Sequence, residues 1–382
     1  MAKNIYNPKV LLVANSGWYI YNFRLSLLEQ LVAEGFDVHI VVPLDFYSDL
    51  IFNRGFTVHQ WKISRRSINP IKEFLSLIDL IRIYKREKPI ILHHFTIKAC
   101  IYGTIAARNA GIYKVINAIT GLGHVFLSTK KRMRFLRTFF KPLYRALFID
   151  SRGLVVFQNA DDQEELIKMG LVNSTNSKLI RGSGVDIDYF KNIEEHKLNK
   201  PLKLLFPARL IREKGIQETI NACKELWDDN YKFKLIIAGE IDSGNRSSLT
   251  SVEIDELKSL QNIVILGHVE DMKSVYADVD IVIMPSWREG LSRSLIEAAA
   301  MQRGIITTDV PGCKDVVEHG ISGILIPLKD QYAIKLAIQL FYHNPELINK
   351  YGLEAREKVK REFQVPLVIK STVEEYYKLL NN

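Results

Sequence analysis

The feature that most constrains the fold is a repeated alternation of short apolar runs with longer amphipathic segments. The runs have the length of β-strands and the segments between them have the length of helices. This alternation predicts parallel sheets covered by helices, which is α/β architecture. The predicted strands are 10–14, 37–42, 57–61, 89–93, 114–118, 153–157, 178–180, 202–206, 232–239, 262–266, 281–284, 304–309 and 324–327.

The length and the spacing of the pattern predict two domains. A chain of 382 residues is long enough for two domains of ordinary size. The polar stretch 192–200 interrupts the alternation, which begins again at Leu202. We therefore predict two doubly wound, Rossmann-like parallel-sheet domains, residues 1–192 and 200–365. Helices are also predicted from about Tyr21 and within 311–319.

Composition narrows the cellular setting. The three cysteines, Cys100, Cys223 and Cys313, are isolated and lack metal-ligand spacing, which favours a reducing, cytoplasmic compartment without disulfides. No apolar run reaches 18 residues, so no transmembrane helix is predicted. The apolar run at the N-terminus is too short for a signal peptide.

The formal charge of +9 suggests an anionic partner, and one segment explains the excess. Residues 128–148 carry seven basic side chains, no acidic one, and interleaved aromatic and aliphatic residues. This pattern is typical of a helix at an anionic membrane surface. The alternative is a helix packed on its own domain with a solvated basic rim; nucleic acid is disfavoured because no binding motif accompanies the patch. The basic residues are Lys130, Lys131, Arg132, Arg134, Arg137, Lys141 and Arg145.

The strongest candidate site lies in residues 281–303. Their pattern predicts a strand, a turn and a helix that begins near Ser292. Free N–H groups and the helix dipole at such a helix start attract phosphate. Glu289 lies in the turn and Glu297 about two helical turns further, roughly 12 Å along the axis. This arrangement suits a sugar nucleotide, although two glutamates in a strand–turn–helix are also common as solvated side chains.

Two motifs in this half of the chain resemble those of the retaining glycosyltransferases of family 4, which have the GT-B fold. One is Pro285-Ser286-x-x-Glu289-Gly290 followed by Glu297-Ala298; the other is Arg209-x-x-x-x-Lys214-Gly215. The resemblance implies two domains facing a cleft, with the acceptor on the first and the nucleotide sugar on the second. It also implies that a C-terminal helix, 366–382, packs back on the first domain.

The resemblance assigns roles to these residues. Arg209 and Lys214 bind the diphosphate and stabilise it as it leaves, and two cations at this position fit that task. Glu297 holds the ribose, and Glu289 contacts the transferred sugar. The helix start supplies further substrate contacts from Gly290, Leu291, Ser292, Arg293 and Ser294. Ser292 stands where many family members have proline.

Further binding residues are predicted where other strands end. They are Gly17 after the first strand and Lys98 as a contact for an acceptor diphosphate. The resemblance implies further contacts from Gly182 and Gly184, in a loop that touches the cleft, and from His268 and Val269, beside the nucleotide base. His124 is the candidate contact to the hexose from the first domain, although its surroundings depart from the commoner family motif. The loop at Gly17 holds one glycine where the family often has two.

Two other signals are set aside. Gly121-x-Gly123 lacks the third glycine of a dinucleotide fingerprint because residue 126 is Phe, so NAD is rejected. Asp278-Val-Asp280 resembles a metal-binding Asp-x-Asp, but it follows a helix and precedes a buried strand. We read it as a capping and solvated surface element. No metal and no cofactor is expected.

The function implied by the resemblance is transfer of a hexose with retained configuration. Tyr21-Asn22-Phe23-Arg24 resembles the subgroup that acts on lipid-linked sugars. The expected donor is a UDP-N-acetylhexosamine such as UDP-GalNAc, with UDP-galactose or UDP-glucose close behind. The expected acceptor is an undecaprenyl-diphosphate-linked saccharide at the inner face of a bacterial cell membrane. A soluble acceptor, a UDP-sugar 2-epimerase and a catalytically silent membrane adaptor remain as alternatives.

Overall fold

The structure is a computed structural model of the chain. It describes residues 7–64, 67, 69–121, 141–149, 152–191, 196–242, 244–245 and 247–381. The chain divides into two compact units, the first made of residues 1–183 and 366–382 and the second of residues 184–365. Each unit is built on a parallel sheet covered by helices, which confirms the predicted α/β class.

The first unit has a seven-stranded sheet in the order β3-β2-β1-β4-β5-β6-β7. Its strands are β1 (Lys9–Ala14), β2 (Asp37–Val42), β3 (Thr57–Gln60), β4 (Ile91–Phe95), β5 (Val115–Ile119), β6 (Gly153–Phe157) and β7 (Ser177–Leu179). Its helices are α1 (Gly17–Ala33), α2 (Phe46–Asn53), α3 (Pro70–Glu87), α4 (Ile97–Asn109), α5 (141–148), α6 (Ala160–Lys168) and, near the end of the chain, α13 (Val365–Asn381).

The second unit has a six-stranded sheet in the order β10-β9-β8-β11-β12-β13. Its strands are β8 (Leu202–Phe206), β9 (Phe233–Ala238), β10 (Ile263–Gly267), β11 (Ile281–Met284), β12 (Gly304–Thr308) and β13 (Ile324–Ile326). Its helices are α7 (Ile216–Asp228), α8 (Ser251–Lys258), α9 (Met272–Asp278), α10 (Arg293–Ala300), α11 (Gln331–His343) and α12 (Glu346–Glu362).

Local signals explain where several helices begin. Asp45 accepts a hydrogen bond of 2.9 Å from the Ser48 amide and so caps α2. Asn69 caps α3, and Pro70 occupies the first helical position, where its missing N–H costs nothing. The apolar strands pair in parallel register, and their side chains form the buried cores of the two units.

The predicted strands are all present, with ends shifted by at most two residues. Two helix predictions are wrong. The first helix begins at Gly17 rather than near Tyr21, because the Gly17 amide is held by the Asp45 carboxylate at 3.0 Å. Residues 311–316 form successive turns, and 311–319 contains no helix, because Gly312 has a φ of +78° and its amide bonds to the Asp315 side chain.

The structure divides the chain earlier than the polar stretch 192–200. Val185 donates its amide to Phe363 at 2.8 Å, and Phe190 lies in a core cluster of the second unit. Residues 184–191 therefore belong to the second unit. The last helix, α13, belongs to the first unit, where Tyr376 is fully buried among side chains of that sheet.

The interpretation of Asp278-Val-Asp280 as a solvated surface element is wrong for Asp280. Its side chain is fully buried, and the carboxylate accepts hydrogen bonds from the amides of Asn199 and Lys203 at 2.9 and 2.7 Å. Asp280 therefore fixes the entry to β8, and it is not a solvated surface residue. Asp278 is exposed and pairs with Lys203.

The structure also describes the three cysteines and the length and polarity of the helices. Cys100, Cys223 and Cys313 are buried and free, and burial raises the pKa of the Cys313 thiol to about 12. Within the described ranges, every helix is too short or too polar to cross a bilayer.

Candidate active site

Several predicted residues of the second unit lie on the loops that follow β8 and β11, which are neighbours in the sheet. Arg209 and Lys214 come after β8, and Glu289 comes after β11. The carboxyl ends of parallel strands meet at one edge of a sheet, where ligands of such folds collect. The topology therefore brings together residues that are far apart in the sequence.

Lys214 and Glu289 form a direct ion pair. The Lys214 Nζ donates to the Glu289 Oε1, and the side chains are only 19% and 14% exposed. The sequence motifs predict separate contacts for the two residues and give no indication of the pair. A mostly buried ammonium held by one carboxylate is a cation that an incoming diphosphate can also engage.

The two loops are also joined through their backbones. Trp287 donates its amide to the Glu213 carbonyl at 2.8 Å, and the Ser286 hydroxyl contacts the same carbonyl at 3.2 Å. Gly215 lies against the Pro285 carbonyl, where a β-carbon would approach to 2.3 Å. This close approach explains why a glycine follows Lys214, and it fixes the distance between the loops that carry Lys214 and Glu289.

We expect Gly215→Ala to lower the free energy of unfolding by about 2 kcal/mol or more, because the residue has a φ of +77° and meets the Pro285 backbone. Urea denaturation measures the loss. Gly320→Ala is the matched control, since Gly320 has a φ of +74° and open space around it. Equal losses in the two variants would show that the contact with Pro285 does not matter.

Arg209 pairs with a residue that the motifs do not reveal. Its Nη1 donates to the Asp242 carboxylate, which lies on the loop after β9, the strand beside β8. The Arg209 side chain is 49% exposed, whereas Asp242 is 11% exposed. Only its position after a neighbouring strand could have indicated Asp242.

Glu297 is nearly buried, and two side chains hold its carboxylate. Arg293 Nε donates to Oε1 at 2.7 Å, and the Tyr276 hydroxyl lies 3.3 Å from Oε2 and 3.1 Å from the Ser294 carbonyl. Burial raises the pKa of Glu297, while the Arg293 charge opposes the rise. The motifs place Arg293 only at the helix start and give no signal for Tyr276.

The start of α10 differs in one detail from the predicted phosphate cradle. Ser292 caps the helix by accepting from the Leu295 amide at 3.4 Å, and its own amide donates to the Gly312 carbonyl at 3.1 Å. The Ser292 amide is therefore already used within the protein. The neighbouring amides of Leu291 and Ser294 have no hydrogen-bond acceptor in the described chain.

The remaining predicted contacts of this unit are His268 and Val269, which follow β10, and Gly184, at the start of the unit. His268 is exposed and Val269 is half-buried after β10, two strands from β8 in the sheet. Val269 packs against the same core as Leu291. Gly184 has a φ of +74°, and a β-carbon there would lie 2.8 Å from the Val365 Cα, so close packing requires this glycine.

In the first unit, two predicted contacts already have protein partners. A β-carbon at Gly17 would lie 2.3 Å from the Asp45 Oδ1, so this glycine makes room for a side chain of the protein itself. The Lys98 Nζ donates to Glu73 at 2.9 Å and to the Ser64 carbonyl at 2.8 Å, and Lys98 is 17% exposed. Their substrate roles stay predictions.

The last predicted residues of the first unit are Gly182 and the basic residues, two of which lie on α5. The Gly182 carbonyl accepts from the buried Arg24 guanidinium at 3.0 Å. In α5, Lys141 and Arg145 are exposed, whereas Tyr144 and Leu147 are buried in a core cluster, so this part of the basic segment packs on its own unit. The other predicted residues lie outside the described ranges; they are His124, Lys130, Lys131, Arg132, Arg134 and Arg137.

Two family models match the chain. The model described as "Glycosyl transferases group 1" matches residues 188–358, and the model described as "Glycosyl transferase 4-like" matches residues 9–159. The two matches span most of both units, and the first one contains Arg209, Lys214, Glu289 and Glu297. The chain is a glycosyltransferase. The resemblance to family 4 that the motifs carry is confirmed.

This glycosyltransferase is similar to bacterial enzymes over most of its length. It is 24% identical to the N,N'-diacetylbacillosaminyl-diphospho-undecaprenol α-1,3-N-acetylgalactosaminyltransferase of Campylobacter jejuni, over 88% of this chain and 89% of that protein. It is 26% identical to the UDP-Gal:α-D-GlcNAc-diphosphoundecaprenol α-1,3-galactosyltransferase of Escherichia coli, over 90% of this chain and 89% of that protein.

Among solved structures, the glycosyltransferase resembles Anabaena HepE in its complex with UDP-glucose. The TM-score is 0.78 at 17% identity, over 97% of this chain and all of that chain. At this identity the likeness shows the fold, and it confirms the predicted GT-B architecture of two parallel-sheet units.

Proposed function

We propose that this glycosyltransferase moves a hexose from a UDP-sugar to a polyprenyl-diphosphate-linked saccharide, with retained configuration and without a metal ion. The sugar is an N-acetylhexosamine such as GalNAc. The observation that carries the proposal is the Lys214–Glu289 ion pair, which connects the loop that carries Arg209 and Lys214 to the loop that carries Glu289. The names of the Campylobacter and Escherichia relatives support a lipid-linked acceptor, and the second names a UDP-sugar.

The proposed donor complex uses the charges of the second unit. The UDP diphosphate binds Lys214 and Arg209, each of which now holds a carboxylate that the phosphate oxygens replace in part. The amides of Leu291 and Ser294 add hydrogen bonds at the start of α10. Glu297 accepts from the ribose hydroxyls, and Glu289 contacts the sugar.

In the proposed reaction, an acceptor hydroxyl oxygen bonds to the anomeric carbon on the face from which UDP leaves. The bond between that carbon and the β-phosphate oxygen breaks, and UDP takes the electron pair. The hydroxyl proton passes to the departing phosphate oxygen. Lys214 and Arg209 stabilise the negative charge that develops on the diphosphate, which is the task that a metal ion performs in other enzymes.

The test is transfer from radiolabelled UDP-GalNAc, UDP-GlcNAc, UDP-galactose and UDP-glucose to polyprenyl-diphosphate-linked acceptors, with excess EDTA present. We expect one donor to give a labelled lipid product whose new linkage is α by NMR, and Glu289→Ala to give none. Free UDP with an altered sugar and no lipid product would instead indicate an epimerase. A product only on soluble saccharides would overturn the lipid acceptor, and loss of activity with EDTA would overturn metal independence.

A weaker effect is expected at the residue that supports Glu297. Tyr276→Phe removes one hydrogen bond to the carboxylate, worth about 1 kcal/mol, so UDP should bind roughly fivefold more weakly. Isothermal titration with UDP measures the change. Tyr231→Phe is the control, because its hydroxyl bonds to His343 instead. Unchanged UDP affinity in Tyr276→Phe would remove Glu297 from the proposed ribose site.

We also propose that the enzyme attaches peripherally to the inner face of the cell membrane through the basic side chains of residues 128–145. The exposed Lys141 and Arg145 remain available for this contact. Flotation with anionic and with neutral vesicles tests it. We expect binding to anionic vesicles only, lost when the seven basic residues become Gln; equal flotation of that variant would contradict the attachment.

A further inference from the structure

A cluster of two histidines and a glutamate lies in the first unit, away from every residue assigned to the transfer site. His39 is on β2, His59 is on the neighbouring strand β3, and Glu87 is the last residue of α3. The side chains are 11%, 12% and 12% exposed. One ligand atom from each lies within 4.8 Å of the other two.

The rings face each other through single nitrogens. His39 Nδ1 lies 2.9 Å from His59 Nε2, and the far nitrogen of His39, Nε2, lies 3.0 Å from the Asp37 carboxylate. Since Asp37 only accepts, His39 carries its proton on Nε2, and its Nδ1 lone pair points to His59. His59 Nε2 must then donate, and its Nδ1 accepts from the Arg86 guanidinium at 3.1 Å.

We propose that His39 Nδ1, His59 Nε2 and a Glu87 carboxylate oxygen bind one zinc ion, which takes the place of the proton between the two rings. Two histidines and one glutamate form a known ligand set for zinc, with a fourth position left for water. Bond lengths of about 2.0–2.1 Å in tetrahedral geometry require the nitrogens to be roughly 3.3 Å apart. The rings at 2.9 Å need to separate by only a few tenths of an ångström.

Groups around the cluster already hold the ligands in place. The hydrogen bond from His39 Nε2 to Asp37 is the arrangement that fixes the tautomer and orientation of metal-binding histidines. When His59 Nε2 binds the ion, its proton moves to Nδ1, which lies 3.6 Å from the Glu87 Oε1. The Arg86 side chain is 64% exposed, so it can turn into solvent and leave that nitrogen.

Two cations compete with zinc for the glutamate: Arg86, whose Nε donates to the Glu87 Oε1 at 2.7 Å, and Lys9. The Lys9 Nζ lies 3.2 Å from the Glu87 Oε2, so zinc binding must displace a cation. The same Nζ lies 4.0 Å from Asp37, which gives the ammonium a second carboxylate to approach. Removal of the Lys9 charge should therefore strengthen zinc binding.

The position of the cluster indicates a structural role. Lys9 and Asp37 are the first residues of their strands, and Glu87 ends α3 ahead of β4, so the Glu87 side of the cluster lies toward the amino edge of the sheet. The loops that carry the predicted substrate contacts of this unit follow the carboxyl ends of strands. The ion would tie β2, β3 and α3 together and take no part in the transfer.

The experiment uses the full-length protein, stripped with a chelator and titrated with Zn²⁺, and separately with Co²⁺ while the visible spectrum is recorded. We expect one equivalent of zinc per chain, a higher melting temperature, and the intense d–d bands of low-symmetry Co²⁺ with nitrogen ligands. The Co²⁺ spectrum of the unmodified protein needs no variant. A spectrum of six-coordinate aqueous Co²⁺ throughout the titration would overturn the proposal.

Variants locate the ion. His59→Gln and His39→Ala should each weaken zinc binding at least about 100-fold, and Asp37→Asn about 10-fold. Lys9→Met should tighten it. His343→Ala is the control, since His343 bonds to Tyr231 in the second unit. Equal zinc binding in His59→Gln and His343→Ala would mean that scattered surface histidines bind the metal, and weaker binding in Lys9→Met would contradict the proposed competition.

Discussion

Glu289→Gln should lower kcat for sugar transfer by about 10²–10³-fold while UDP affinity stays within a few-fold of the wild type. The effect is large because the carboxylate is predicted to contact the transferred sugar and also fixes the Lys214 ammonium. An amide of the same shape retains the packing but loses the charge. Initial rates at saturating donor, together with UDP titration, measure the two quantities.

The control for this change is Glu354→Gln, an exposed glutamate on α12 of the same unit. It should retain full activity and stability. If Glu289→Gln transfers sugar at a rate within tenfold of the wild type, the carboxylate is not part of the reaction. If UDP binding fails as well, the change has damaged the site as a whole.

Lys214→Met should lower kcat by about 10²–10³-fold and weaken UDP binding by about tenfold. Methionine fills much of the volume of the lysine stem but supplies no charge to the leaving diphosphate. Arg209→Met should lower kcat and UDP affinity by smaller factors, because the Arg209 side chain is 49% exposed and water screens its charge. Steady-state kinetics with UDP as product inhibitor separates the two effects.

Because Lys214 is paired with Glu289, we also expect Lys214→Met to change the stability of the protein. The single variant leaves the Glu289 carboxylate, 14% exposed, without its partner, so stability should also fall. Glu289→Gln in the Lys214→Met background should recover part of that stability but none of the activity. Lys258→Met, on the exposed face of α8, is the control. Strictly additive losses of stability would show that the pair contributes no coupling.

The ion pair also suggests how the unliganded site is kept in order. Two mostly buried charges of opposite sign need no water or ion between them, so the loops after β8 and β11 keep one arrangement. In the proposed donor complex, the diphosphate would offer Lys214 a second anion and leave Glu289 free to contact the sugar. The Lys214–Glu289 contact would then keep the empty site in order, and the diphosphate would replace Glu289 as the partner of Lys214 when the donor binds.

Much of the fold was predictable because its signals are local. Each apolar run became a strand, and the restart of the alternation at Leu202 marked the second sheet. Helix limits were less predictable where a distant side chain decides them, as Asp45 does for the amide of Gly17. The absent helix at 311–319 also involves a distant contact, since the left-handed Gly312 lies close to the backbone of Glu289.

The candidate site was predictable as a set of residues and not in the contacts among them. The motifs identify Arg209, Lys214, Glu289 and Glu297, because their spacing within each loop is a property of the chain. They do not indicate that Lys214 pairs with Glu289 across 75 residues, or that Tyr276 lies against Glu297. A pair of this kind depends on which strands are neighbours, and the motifs carry no information about that order.

The sequence by itself therefore determined the α/β class, the two-sheet organisation and the family, since these follow from periodicity and from short motifs. Only the tertiary structure decided which charges meet, that Asp280 is buried as a strand anchor, and that His39, His59 and Glu87 converge. The physical reason is that hydrophobic periodicity depends on near neighbours in the chain. The free energy of a charge depends instead on the nearest atoms in space, and folding brings those from anywhere in the sequence.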